Sequence, residues 1–203
     1  MSDSKYNPQK TRGLYVPGDA KPYKLSRSKI DLFLRCPRCF WLDRILGISP
    51  PPPWPYSLNI AVDELLKKEF NMHRRMATEH PAISRAVRHG VMRPAVPFNH
   101  PDMSEWQDSL HHGIQVLHGL TNLLVFGGVD DIWQFIDTGK LAIVDYKATY
   151  HPKKIDISEP RYDSYKAQLE IYQWLLSHRL DSPSTSDIAF FLFCNADASR
   201  LDF

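Results

Sequence analysis

The sequence predicts an α/β fold in which a mixed central sheet is flanked by helices. Two apolar runs, residues 123–135 and 141–144, flank a turn signal at Gly139, and this pattern is typical of a β-hairpin because glycine accepts the positive φ of a tight turn. Apolar residues at helical spacing predict a long helix over residues 162–180, and an apolar strand is predicted over residues 188–193. Strands that alternate with a long helix indicate the α/β class.

Length and composition predict a globular protein. We predict a flexible lead-in over residues 1–24 and one domain over residues 25–203, because 203 residues can bury a core and 43% of them are hydrophobic. The net charge of +2 does not by itself indicate nucleic acid, so a local basic patch would have to do so. The polar start, the three cysteines and the lack of an apolar run of about 18 residues predict a cytoplasmic protein without membrane contact.

The most basic segment is predicted to form two short helices that meet at Pro37, because proline interrupts the helical spacing of residues 26–45. Basic and aromatic side chains alternate there, which suits contact with a phosphate backbone and stacking on bases. A solvated helix face over a core explains any single one of these arginines equally well. The residues concerned are Arg27, Lys29, Arg35, Arg38 and Arg44, with Phe40 and Trp41 between them.

The middle of the chain alternates between broken and regular segments. A proline-rich linker is predicted over residues 49–55 and an amphipathic helix over residues 58–78, with Asp63 in its first half. Prolines make residues 80–100 irregular, although residues 83–88 can form one or two helical turns. A short helix is predicted over residues 102–112, and the sheet is predicted to begin at residues 114–117.

The predicted hairpin carries acidic residues where a core strand should be apolar. Asp130 and Asp131 interrupt its first run, and Asp145 follows the second, with Lys147 two residues further on. Strand side chains alternate between faces, so Asp145 and Lys147 share one face while Tyr146 points to the other. Antiparallel pairing brings Asp130 or Asp131 near Asp145. Two buried carboxylates are costly unless a cation binds them, so we predict a site for a hard divalent cation.

A solvated hairpin face is the simpler explanation of the same residues. A D-x-K triplet arises often by chance, and Lys147 can be a salt-bridge partner of Asp145 on a surface. The metal site is favoured because the acids lie within hydrophobic runs and because further parts of a site follow in order along the chain.

Taken together, these segments resemble the PD-(D/E)XK nuclease superfamily, and within it the RecB-like branch that includes CRISPR-adaptation nucleases. The resemblance extends over about residues 25–193 and implies a restriction-endonuclease-like core. Four motifs carry it in the order of the family: Ser26-Arg27-Ser28 with residues 34–38, then Gly128-Val129-Asp130, then Val144-Asp145-Tyr146-Lys147, then a Q-x-x-x-Y pattern from Gln168 to Tyr172.

The resemblance implies a role for each matching residue. Asp130 and Asp145 would ligate Mg²⁺ or Mn²⁺, with the backbone carbonyl of Tyr146 as a third oxygen. Lys147 would orient or activate the attacking water. Asp63 falls where RecB-like relatives often carry a histidine ligand.

The remaining matches concern DNA. Gln168 and Tyr172 correspond to the helix pair beside the catalytic site that contacts the DNA backbone. The basic segment supplies four candidate nucleic-acid contacts: Arg27, Lys29, Arg35 and Arg38. The predicted activity is divalent-metal-dependent hydrolysis of single- or double-stranded DNA, in repair, recombination or defence. The alternatives are a catalytically inactive nuclease fold that binds nucleic acid or a partner protein, and a structural α/β domain whose acids are surface charges.

The cysteines do not match an iron–sulfur site. Some RecB-like relatives hold a cluster with one cysteine near residues 36–39 and three near the C-terminus, but this chain has only Cys194 there. Four thiolates are needed, so we predict that no iron–sulfur cluster binds. Cys36 and Cys39 are then either a pair of small buried residues or a reactive thiol pair.

Overall fold

The structure, a computed structural model, describes residues 10–51, 57–149, 155–181 and 183–195. It confirms the α/β class, with one sheet of three strands, one of four strands, and helices packed on them. The chain divides into two compact units, residues 1–55 with 115–126 and residues 56–114 with 127–203. The predicted proline-rich linker lies outside the described residues from residue 52 onward.

The described residues form helices and strands in both units. In order they are β1 (Tyr23–Ser26), α1 (Arg27–Arg35), α2 (Pro37–Arg44), α3 (Ser57–Met76), α4 (Pro81–Arg88), β2 (Ala95–Pro97), α5 (Met103–Trp106), β3 (Ile114–His118), β4 (Leu123–Gly127), β5 (Asp131–Phe135), β6 (Leu141–Thr149), α6 (Asp163–Arg179) and β7 (Phe190–Asn195).

The first unit contains the basic helices and a small sheet. Strand order is β1-β4-β3, with β1 parallel to β4. The predicted break between the two helices is confirmed: Pro37 occupies the first turn of α2, where its missing N–H removes no helical hydrogen bond. Strand β1 was not predicted, because its four residues follow a polar stretch with glycine and proline and show no clear alternation.

The second unit is built on a four-stranded mixed sheet in the order β2-β5-β6-β7. The predicted hairpin is present as the antiparallel pair β5 and β6, and Gly139 takes a φ of 69° in its turn. Strand β7 runs parallel to β6, so the chain must cross over between them, and α6 forms this connection. Helices α3 and α6 both contact β6, the strand that carries Asp145 and Lys147.

Three predicted elements differ from the structure. Residues 123–135 are not one strand, because the chain leaves the three-stranded sheet at Gly127 and enters the four-stranded sheet only at Asp131. The helix predicted over residues 102–112 is limited to the four residues of α5. Strand β2 lies within the segment predicted to be irregular. It has only three residues, one of them proline, and its antiparallel pairing with β5 holds it in the sheet.

The two helices on β6 cover opposite faces of the sheet. The Tyr146 ring lies 5.6 Å from the Phe70 ring of α3, whereas Asp145 bonds to Gln168 of α6. Successive strand residues point to opposite faces, so α3 and α6 must lie on different sides. No helix among the described residues is long and apolar enough to cross a membrane, and the cytoplasmic location remains a prediction.

Candidate active site

Strand β6 brings an acid and a lysine together at its C-terminal half. Asp145 and Lys147 lie on the same face, as strand alternation predicts, and the Lys147 ammonium forms an ion pair with Asp145 Oδ2. The Asp145 side chain is only 1% exposed. The Lys147 ammonium also lies 4.8 Å from the centre of the Tyr165 ring on α6, so an aromatic face helps to hold this charge in place.

Asp130 is held at the entry to β5 by the loop that precedes it. The Gln107 side chain donates a hydrogen bond of 2.7 Å to the Asp130 carbonyl, and the Val129 N–H donates one of 3.0 Å to the Trp106 carbonyl. A Cβ at Gly128 would collide with the backbone of Ser109, so only glycine permits this close approach. The position of Asp130 is therefore set by packing and backbone hydrogen bonds.

Asp130 lies across the hairpin from Asp145. Its Oδ2 accepts a hydrogen bond of 2.7 Å from the Tyr146 N–H. In a strand, the N–H and C=O of one residue point to the same side, so the Tyr146 carbonyl also faces Asp130. Burial and then the charge of Asp145 raise the pKa of Asp130 above its ordinary value, against the charge of Lys67. The register of the hairpin, in which Asp131 pairs with Val144, places Asp130 opposite Asp145.

The Q-x-x-x-Y pattern on α6 contacts Asp145 through Gln168. Gln168 and Tyr172 are one helical turn apart and both are buried. The Gln168 side-chain amide donates a hydrogen bond of 2.7 Å to Asp145 Oδ1, and its nitrogen lies 3.1 Å from the Tyr172 hydroxyl. Gln168 therefore fixes the orientation of Asp145 rather than pointing into solvent.

Helix α3 supplies two further charged groups, of which only one was predicted. Lys67 Nζ lies 2.8 Å from Asp63 Oδ2 and 3.5 Å from Asp130 Oδ1, and so it joins the predicted Asp63 to the site. Burial lowers the pKa of Lys67, but the charges of Asp130 and Asp63 outweigh this effect and raise it. The i, i+4 spacing of Asp63 and Lys67 was the sequence signal for this pair.

Asp131 lies on the face of the hairpin that carries Tyr146 and packs against α3. It is fully buried, forms an ion pair with Arg74 of α3, and accepts hydrogen bonds of 2.9 Å from the Trp133 indole N–H and the Tyr146 hydroxyl. The sequence is compatible with either acid as the neighbour of Asp145. Of the two, Asp130 lies beside Asp145, and Asp131 is part of the core.

The donor set of this site fits a divalent cation. Asp130 and Asp145 offer carboxylate oxygens and Tyr146 a carbonyl oxygen, which are the ligands that Mg²⁺ prefers. Asp145 Oδ2 is buried and forms an ion pair with the Lys147 ammonium, so one cation already compensates this carboxylate. Among the described residues, no group of three or more His, Cys, Asp or Glu side chains has metal-site geometry.

Comparisons with family models, curated proteins and solved structures find no match. The resemblance to PD-(D/E)XK nucleases therefore depends on the order of the motifs and on the geometry of this site alone.

The four predicted nucleic-acid contacts lie in the first unit. They differ in side-chain exposure and in the ion pairs that they form. Arg35 and Arg38 are exposed, as are Phe33 and Trp41 on the same two helices, and Arg35 pairs with Asp31 at 3.0 Å. Arg27 is half-buried.

Lys29 is different, because its ammonium lies 2.6 Å from Asp43, which is fully buried. Lys10 and Arg44 each lie 2.8 Å from the same carboxylate. Lys10 belongs to the segment predicted to be a flexible lead-in, and no local pattern indicates its contact with Asp43. Burial acts to raise the pKa of Asp43, but its three cationic partners outweigh this and hold the pKa well below its ordinary value.

Acid is expected to remove the stabilisation that Asp43 provides. A carboxyl whose pKa is depressed on folding stabilises the protein above its unfolded-state pKa, and this contribution is lost as the pH falls through the lower, folded-state value. Asp43→Asn should therefore reduce the free energy of unfolding more at about pH 6 than at about pH 3. Urea titrations of both proteins at the two pH values measure this, and an equal loss at both would contradict it.

The cysteines of the first unit are joined to each other. Cys36 and Cys39 form a disulfide at the junction of α1 and α2, and the Cys36 sulfur also accepts a hydrogen bond of 3.1 Å from the Cys39 N–H. Cys194 is a buried free thiol on β7.

Proposed function

We propose that this chain is a divalent-metal-dependent nuclease that hydrolyses phosphodiester bonds in DNA on a PD-(D/E)XK-type core. The observation that carries the proposal is that Asp130, Asp145 and Lys147 meet at one end of the hairpin formed by β5 and β6. Gln168, which completes the order of motifs, bonds to the same Asp145.

The side chains of the site suit hydrolysis of a phosphodiester. Mg²⁺ or Mn²⁺ held by Asp130, Asp145 and the Tyr146 carbonyl would polarise the scissile phosphate and lower the pKa of a water molecule. The Lys147 ammonium can hold the attacking water and offset negative charge that develops on the phosphate. Gln168 keeps Asp145 in one orientation, which leaves Asp145 Oδ2 directed at the lysine side of the site.

A catalytically inactive nuclease fold that binds nucleic acid or a partner protein is the second candidate. The contact of Lys67 with Asp130 favours it, because an ammonium at this carboxylate opposes the approach of a metal ion. Metal binding separates the two candidates. Calorimetry that detects no uptake of Mg²⁺ or Mn²⁺ by the folded protein would favour the inactive fold.

Removal of the metal is expected to stop cleavage reversibly. The purified protein should cut labelled single- or double-stranded DNA with Mg²⁺ or Mn²⁺, should lose this activity in excess EDTA, and should regain it when the metal is restored, because the ion supplies the polarisation of the phosphate. Labelled RNA in parallel defines the nucleic acid. Cleavage that persists in EDTA, or an absence of cleavage despite metal uptake, would contradict the proposal.

A further inference from the structure

The site contains a second lysine, Lys67, in addition to Lys147. Lys67 reaches from α3 to two carboxylates on different elements, Asp63 on its own helix and Asp130 before β5. Its side chain is only 19% exposed, so it does not behave as a solvated surface lysine. A half-buried ammonium between two carboxylates occupies the kind of position that a metal ion takes.

Lys67 changes the net charge of the site and therefore the number of divalent ions that the site can hold. Asp63, Asp130 and Asp145 supply three negative charges, and Lys67 and Lys147 supply two positive ones. One divalent ion changes the sum from −1 to +1, whereas two ions would raise it to +3. With the ammonium removed, Asp63 and Asp130 on either side of it would be free to hold a second ion next to the one at Asp130 and Asp145, as in two-metal phosphodiesterase sites with ions about 3.5–4 Å apart. Without Lys67, the same carboxylates would accommodate two ions far more easily.

We propose that the Lys67 ammonium takes the place of a second divalent ion, so that the site binds one ion and not two. Asp63 then holds Lys67 by the 2.8 Å ion pair and is not itself a ligand of the bound ion. The strands contribute Asp130, Asp145 and the Tyr146 carbonyl to the ion. This inference rests on the proposed function to the extent that the site must bind a metal.

The test is the number of Mn²⁺ ions bound, measured by calorimetry and by equilibrium dialysis on the full chain. We expect one ion for the wild-type protein and two for Lys67→Gln, because the substitution removes the ammonium but keeps the three carboxylates. Lys67→Arg retains the charge and should bind one. Lys68→Gln is the matched control, because it removes the neighbouring, exposed lysine of the same helix and should also bind one.

Each outcome has a separate meaning. A wild-type protein that binds no Mn²⁺ overturns the proposed function and this inference together. One ion in both the wild-type protein and Lys67→Gln overturns the inference alone, as do two ions in the wild-type protein. If Lys67→Gln does not fold, Asp63→Asn provides the second test. The inference predicts that the affinity for the single ion then falls by less than about tenfold, whereas loss of a true ligand or orienting group costs about tenfold or more.

Discussion

Asp145→Asn is expected to reduce DNA cleavage to the rate measured without metal, while the protein remains folded. Asparagine has the same shape and keeps an oxygen that can accept the hydrogen bond from Gln168, but it removes the charge that would hold the ion. Lys147→Met should act differently, because it removes the group beside the reacting phosphate but keeps both carboxylates. We expect metal uptake to remain in Lys147→Met and cleavage to fall by about a hundred- to a thousandfold.

Controls come from the turn at the other end of the same hairpin. Asp137→Asn and Lys140→Met make the same chemical changes at exposed positions and should leave cleavage and Mn²⁺ uptake unchanged. Labelled-DNA cleavage, calorimetry and thermal unfolding of all four variants give the comparison. If Asp145→Asn and Lys147→Met both cleave at the wild-type rate while remaining folded, the site has no catalytic role.

Local regularity explains which part of the site was predictable. Asp145 and Lys147 are two residues apart in a strand, so their shared face follows from alternation alone. Gln168 and Tyr172 are four residues apart in a helix, so their shared face follows from helical geometry. In both cases the relevant spacing is contained in one element, and the sequence displays it directly.

The choice between Asp130 and Asp131 depended on residues far away in the sequence. The two acids are adjacent, and both interrupt the same apolar run. Asp131 is held in the core by its ion pair with Arg74. Arg74 precedes it by 57 positions, and no local pattern connects the two residues. The division of residues 123–135 between two sheets likewise depends on the close contact of Gly128 with Ser109, a tertiary contact that is not visible in local spacing.

The core ion pair leads to the second large effect that we expect. Arg74→Leu should lower the free energy of unfolding by about 3–5 kcal/mol, because it leaves the Asp131 carboxylate buried without its counter-charge. Arg74 is 4% exposed, and it also donates a hydrogen bond of 2.7 Å to the Phe98 carbonyl, which would lose its partner. Urea-induced unfolding followed by tryptophan fluorescence measures the change, since Trp133 bonds to Asp131.

Two further variants distinguish loss of charge compensation from loss of packing. Arg75→Leu removes the neighbouring, exposed arginine of α3 and should change stability by no more than about 0.5 kcal/mol. Arg74→Leu combined with Asp131→Asn removes both charges while the amide oxygen can still accept from Trp133, so the double variant should be more stable than Arg74→Leu alone. A double variant no more stable than Arg74→Leu alone would mean that packing, and not the isolated charge, accounts for the loss.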